Sequence, residues 1–197
     1  MVDFSAILAP SGSARALALG FGLVLALVIR PPLAHAAEDG ERLVSAFHPD
    51  AAAWERVEVP DRAGSRLWKS RENEREQYRI EVLTGSTQEV REARSFLDGQ
   101  GKASCKVFDT TTLREARSNG YPSVLWRTDC IREDGAGTTL LQLALRGRNA
   151  LYLVVKSWPA PPSAAEVETW AERLERHLVC DPRAPGQGCP PGLERID

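Results

Sequence analysis

Four cysteines have the most versatile chemistry in this sequence, since a thiol can bind zinc, attack a substrate or form a disulfide. They are Cys105, Cys130, Cys180 and Cys189. In an exported chain an even count indicates two disulfides. Of three pairings we favour Cys105–Cys130, whose members lie in two strand-like runs, with Cys180–Cys189, whose members flank a turn-rich loop. The alternative is a zinc site that uses Cys180 with His177, which the lack of a CxxC pair disfavours.

Histidines and carboxylates are the other residues that could do catalysis. Beyond residue 36 the histidines are His48 and His177, and the chain has no GxSxG, Walker, HExxH or GxGxxG motif. We interpret His177 as a partly buried imidazole at a helix end and His48 as a loop residue. Glu72 and Glu74 could serve as acid and base in a glycosidase, but such charge runs are typical of solvated hairpins. We predict no catalytic residue, no cofactor and no metal site.

Five tryptophans point instead to binding, because tryptophan is enriched at the energetic centres of protein interfaces. Trp126 and Trp170 follow the spacing of buried positions, so we expect both in the core. Trp54, Trp68 and Trp158 lie near strand ends and form a candidate partner surface. The alternative is that all five belong to the core or its margin.

The N-terminal segment is typical of a cleaved signal peptide. An uncharged run of 14 residues over 16–29 follows Arg15, and as a helix it would extend about 21 Å, short of a bilayer core of roughly 30 Å. Two prolines and then Ala34-His35-Ala36 predict cleavage after Ala36 or one residue later. The alternative is an uncleaved signal anchor or a buried core helix. Removing 36 of the 197 residues leaves 161, with 26 acids and 23 bases, so we expect neither nucleic-acid binding nor stable membrane insertion.

Local patterns predict the elements that must position these residues. Residues 37–53 are expected to form a short helix or loop, and strands are expected over 54–59, 67–71 and 78–82. Ser86 and Glu89 form a candidate capping box for a helix that ends at Gly99 or Gly101. A strand over 104–108 and a long polar loop over 109–120 follow.

The C-terminal half has the clearest patterns. Strands over 123–132, 138–145 and 150–158 are expected to form an antiparallel meander, with a hairpin at Asp134-Gly135. Ser163 and Glu166 form a second capping box, and the apolar stripe of the helix that follows extends to Leu178. The fold class is therefore α+β, with a mainly antiparallel sheet and two flanking helices.

Motifs that specify turns and buried strands carry a resemblance to known proteins. They are Asn119-Gly120-Tyr121-Pro122, Leu125-Trp126 with Cys130, Leu151-Tyr152-Leu153-Val154-Val155, and Val179-Cys180-Asp181-Pro182 leading to Cys189-Pro190. Over residues 54–190 the chain resembles a group of exported, uncharacterised bacterial proteins with a PsbP-like fold. The resemblance implies an α/β/α sandwich around a sheet of six to seven strands, and a non-enzymatic accessory module that binds a partner.

We therefore expect a periplasmic or secreted binding or accessory module rather than an enzyme. Residues 37–53 would be an N-terminal extension, 54–190 a single domain and 191–197 a tail. The partner would be a protein or another component of the cell envelope. Two other classes stay open: a periplasmic inhibitor or immunity protein, marked by an exposed acidic or aromatic patch, and an envelope hydrolase, marked by a cleft with clustered carboxylates.

Overall fold

The computed structural model describes residues 40–59 and 64–196. The predicted signal peptide and its cleavage site lie outside the described residues, as does most of the predicted turn over 60–64. The strands are β1 (Arg42–Ser45), β2 (Trp54–Val57), β3 (Arg66–Ser70), β4 (Gln77–Thr84), β5 (Val107–Ser118), β6 (Tyr121–Ile131), β7 (Gly137–Arg146), β8 (Ala150–Trp158), β9 (His177–Cys180) and β10 (Glu194–Arg195). The helices are α1 (Val90–Ser104) and α2 (Ala164–Glu175).

The main sheet has seven antiparallel strands in the order β2-β3-β4-β8-β7-β6-β5. Alternate side chains of a strand point to opposite faces of the sheet. The central strands carry apolar residues at both sets of positions, so each face of the sheet has its own core. In β8, Tyr152 and Val154 face one core, whereas Leu151 and Leu153 face the other. The predicted α+β class and the predicted C-terminal meander are confirmed.

One helix covers each face of the main sheet. Val90 and Ala93 of α1 pack against Trp126 and Leu151, and α2 packs on the opposite face, which we call the α2 face. The capping box of α1 pairs Glu89 with Glu92, one turn later than predicted. Within the described residues, neither helix is long and apolar enough to cross a membrane.

The predicted end of α1 at Gly99 or Gly101 is wrong, because the helix continues to Ser104. Gly101 serves close packing instead of helix termination. A Cβ atom added there would clash with the ring of Phe108, so the missing side chain lets α1 approach β5.

A second, small sheet has the order β10-β1-β9 and joins the two ends of the described chain. The predicted helix or loop over 37–53 is therefore wrong for Arg42–Ser45, which forms the central strand. Leu43 and Val44 are almost fully buried there. The predicted extension of α2 to Leu178 is also wrong, since the chain turns at Arg176 and continues as β9.

The predicted polar loop over 109–120 is wrong as well. This stretch belongs to β5, a 12-residue strand at the edge of the main sheet, with a bulge between Thr112 and Arg114. Asn119 and Gly120 then adopt φ values of 49° and 82° in the tight turn to β6, where only residues that tolerate the left-handed region fit easily.

Candidate functional site

An aromatic cluster lies on the α2 face, where β2, β3, β4, β8, β9 and α2 meet. Four of its eight ring contacts are edge to face and the other four are tilted, with centroids 5.2–6.4 Å apart. These are favourable aromatic arrangements. The aromatic cluster consists of Phe47, Trp54, Trp68, Tyr78, Trp158, Trp170 and His177.

Lys156 is buried inside this cluster. Its Nζ atom lies 4.5 Å from the ring centre of Trp158, 4.9 Å from that of Trp170 and 5.0 Å from that of Trp54. The ammonium donates to Oε1 of Glu76 at 2.5 Å and to the backbone oxygen of Ser157 at 3.1 Å. We call this arrangement the Lys156 cage. Three electron-rich ring faces and one carboxylate compensate the charge, yet burial still lowers the pKa of Lys156 to about 8.

The alternation of β8 places a lysine at this core position. Tyr152, Val154, Lys156 and Trp158 share the α2 face, and Lys156 lies opposite Tyr78 of β4 and Leu141 of β7. Local sequence patterns did not reveal Lys156 as a site residue. The sequence feature that indicates it is a charged residue at a position where the alternation of an otherwise apolar strand predicts burial, two positions before a tryptophan.

Tyr78 and His177 form a buried polar pair beside the Lys156 cage. Nδ1 of His177 lies 2.9 Å from the backbone oxygen of Leu174, which can only accept, so Nδ1 carries the proton. Nε2 therefore accepts from the Tyr78 hydroxyl at 2.5 Å. Burial lowers the pKa of His177 to about 4 and raises that of Tyr78 above its ordinary value. The imidazole is thus neutral and joins β4 to the end of α2.

The four cysteines and His48, which were also considered for chemistry, have structural partners. Cys105 is bonded to Cys130, and Cys180 to Cys189, as predicted. No free cysteine occurs among the described residues, and these residues contain no group of three or more His, Cys, Asp or Glu side chains that could hold a metal ion. His48 lies on the surface, 3.3 Å from Glu194.

The edge of the aromatic cluster reaches solvent. Phe47, Trp54 and Trp68 are half-buried, whereas Trp158 is only 5 % exposed and lies in the core. Trp126 and Trp170 are buried, in agreement with the sequence analysis. Of the three tryptophans predicted as a partner surface, Trp54 and Trp68 therefore remain accessible.

Three arginines surround these accessible rings. Arg56 lies directly opposite Trp68 on the neighbouring strand, and Arg66 lies two residues before Trp68, on the same face. Arg173 of α2 stacks on Phe47, with its guanidinium carbon 5.5 Å from the ring centre. We define the aromatic-basic surface by the half-buried rings Phe47, Trp54 and Trp68 and the arginines Arg56, Arg66 and Arg173.

Glu41 is a second buried charge that the sequence analysis missed. Its carboxylate accepts from the backbone amides of Arg148 and Asn149 and from the Tyr152 hydroxyl at 3.4 Å. These contacts fasten the segment before β1 to the β7–β8 hairpin, so Glu41 is a structural anchor.

Comparison with solved structures shows that the fold is PsbP-like. The cyanobacterial PsbP protein (CyanoP) of Synechocystis sp. PCC 6803 aligns over 74 % of this chain and 95 % of its own, with 10 % identity and a TM-score of 0.52. This likeness confirms the fold that the sequence motifs implied.

Two further structures are similar to a lower degree. The Ran-binding protein Mog1p of Saccharomyces cerevisiae has 12 % identity and a TM-score of 0.49, over 68 % of this chain and 88 % of its own. LpqN of Mycobacterium tuberculosis, described as involved in cell envelope biogenesis, has 11 % identity and a TM-score of 0.47, over 74 % and 87 %. No protein-family model matches the chain, and no curated protein matches its sequence.

Proposed function

We propose that this protein is an exported, non-enzymatic binding module of the cell envelope whose partner docks on the aromatic-basic surface. The observation that carries the proposal is the composition of that surface, three half-buried rings beside three arginines. Tryptophan and arginine dominate the binding energy of many protein interfaces, because they combine a large apolar area with directional polar groups.

Two other observations support the proposal. The groups with catalytic chemistry are engaged in structure: His177 is buried and neutral, and all four cysteines are oxidised. Two disulfides are also typical of proteins outside the reducing cytosol, which supports an extracytoplasmic location. The PsbP-like fold agrees with an accessory role.

The test is capture of partners from an envelope extract by the immobilised mature chain, Ala37–Asp197. Trp68→Ala removes a half-buried ring of the surface, whereas Phe96→Ala removes an exposed ring from α1 on the other face of the sheet. We expect the wild type and Phe96→Ala to retain the same protein and Trp68→Ala to lose it, with unchanged far-ultraviolet circular dichroism in all three. Equal retention by all three chains would contradict a role for this surface.

A further inference from the structure

We infer that the partner is an acidic polypeptide segment that adds as an extended strand to the free edge of β2. This inference rests on the proposed function and specifies the chemistry of the partner. Two independent features of the surface support it, the charge of the side chains and the backbone groups at the sheet edge.

The first feature is uncompensated positive charge. Among the described residues, no carboxylate lies within ion-pair distance of Arg56, Arg66 or Arg173. Several other arginines are ion-paired, as in Arg71–Glu55, Arg91–Glu115, Arg94–Asp98, Arg114–Glu168, Arg127–Asp129, Arg132–Asp134 and Arg183–Asp181. The nearby acid Glu76 is neutralised by Lys156. The aromatic-basic surface thus attracts negative charge although the mature chain as a whole is slightly acidic.

The second feature is the edge of β2, which is the outermost strand of the main sheet and, among the residues that the structure describes, pairs only with β3. The amide of Arg71 donates to the carbonyl of Ala53 just before this strand. Because hydrogen-bonded and open positions alternate in an antiparallel pair, the N–H and C=O of Arg56 point away from β3. An added strand that bonds to both would place its own side chain beside that of Arg56, on the face that carries Trp54.

These backbone groups favour a polypeptide over a lipid headgroup or a glycan. Strand addition uses the N–H and C=O of the partner for affinity and its alternate side chains for specificity. An acidic side chain of the added strand, opposite Arg56, would neutralise the guanidinium. An apolar side chain of the same strand would cover the accessible part of Trp54.

The opposite edge, β5, does not offer the same combination. A bulge at Leu113 interrupts its register, and bulges hinder further strand pairing. Arg114, at the middle of that edge, is already bonded to Glu168 and Glu175 of α2. Its charge is therefore satisfied within the chain.

The experiment measures binding of fluorescently labelled ten-residue peptides to the mature chain by anisotropy, at low and at high salt. One peptide alternates Glu with Val, a second alternates Lys with Val, and a third is the Glu-Val peptide with N-methyl groups along one edge. The variants are Arg56→Glu and, as a control with the same change of charge on α1, the exposed Lys102→Glu.

We expect the Glu-Val peptide to bind wild type and Lys102→Glu equally, and Arg56→Glu at least tenfold more weakly. N-methylation should weaken binding at least tenfold, and high salt should weaken it too. No preference for Glu-Val over Lys-Val, or no effect of N-methylation, would overturn the inference.

Three outcomes separate this inference from the proposed function. Capture of a partner that depends on Trp68, together with no binding of the Glu-Val peptide, overturns the inference alone. Binding of phosphatidylglycerol vesicles that depends on Arg56, without peptide binding, also overturns it, because the ligand would then be a membrane surface. Equal capture by Trp68→Ala with Glu-Val binding intact would instead count against the proposed function and support strand addition.

Discussion

Replacing Lys156 by methionine should stabilise the protein, although it removes three cation–π contacts and an ion pair. Lys156 is fully buried, and its pKa is about 8 instead of the ordinary 10.5. This difference means that the charged form costs about 3 kcal/mol in the folded state at pH 7. Methionine keeps the length of the stem and has no charge. The Glu76 side chain is 26 % exposed, so its carboxylate can turn to water once Lys156 is gone. We therefore expect Lys156→Met to raise the free energy of unfolding by about 1–3 kcal/mol.

Glu76→Gln should lower the free energy of unfolding, but only by a small amount. Without its carboxylate, Lys156 can release its proton, and at pH 7 a neutral lysine costs about 5 kcal/mol relative to an ordinary pKa of 10.5. About 3 kcal/mol of that cost is already present in the wild type. We thus expect Glu76→Gln to lose only about 1–2 kcal/mol, and the double variant to resemble Lys156→Met.

The pH dependence provides an independent check of the Lys156 cage. The pKa of Lys156 is lower in the folded than in the unfolded chain, so the unfolded chain holds more protons between pH 8 and 10.5. The free energy of unfolding therefore rises with pH in that window, and Lys156→Met should remove the rise.

The assay is urea unfolding followed by tryptophan fluorescence at pH 7 and pH 9.5, with the exposed Lys102→Met as control. The control should change stability by less than about 0.5 kcal/mol. A loss of more than about 1 kcal/mol in Lys156→Met at pH 7, or a wild-type stability that stays flat from pH 8 to 9.5, would refute the reasoning.

Three further predictions concern acid stability, the disulfides and the N-terminus. The folded pKa of His177 lies below its ordinary 6.5, so protonation favours the unfolded chain; stability should fall by about 3 kcal/mol between pH 6.5 and 4, and His177→Gln should flatten this fall in urea titrations. Serine at both Cys180 and Cys189, nine residues apart, should lower the free energy of unfolding by about 2.6 kcal/mol, and an unchanged urea midpoint would contradict this. Mass spectrometry of the exported protein should show a chain beginning at Ala37 or one residue later, whereas an intact Met1 on membranes would exclude cleavage.

The parts of the fold that sequence patterns predicted are those in which local signals and burial agree. β6, β7 and β8 alternate or are apolar throughout, and the capping box of Ser163 with Glu166 marks the start of α2. β5 beyond residue 108 was missed because an edge strand is exposed along most of its length, so its polar residues carry no alternation. β1 was missed because four residues give too short a pattern, and its partners lie more than 130 positions away in sequence.

The candidate site could be predicted only in part, because local patterns do not show which residues distant in sequence come into contact. The accessible positions of Trp54 and Trp68 near strand ends follow from local pattern, and so does the pairing of the cysteines. The burial of Trp158 does not, since α2 supplies Trp170 to cover it at a centroid distance of 6.4 Å. The Tyr78–His177 bond joins residues 99 positions apart, a separation over which only the sheet topology brings them together.

Trp54 belongs both to the Lys156 cage and to the aromatic-basic surface, and this overlap decides how binding should be tested. Its ring faces the ammonium of Lys156 at 5.0 Å and also contacts Trp170. Trp54→Ala would therefore open the Lys156 cage to water and change stability as well as the surface. Arg56 lies on the same strand but is exposed and touches neither Lys156 nor Trp170 through any hydrogen bond, ion pair or ring contact in the described residues. A loss of binding in Arg56→Glu with unchanged urea stability thus reports on the surface itself, whereas the same loss in Trp54→Ala would not separate binding from folding.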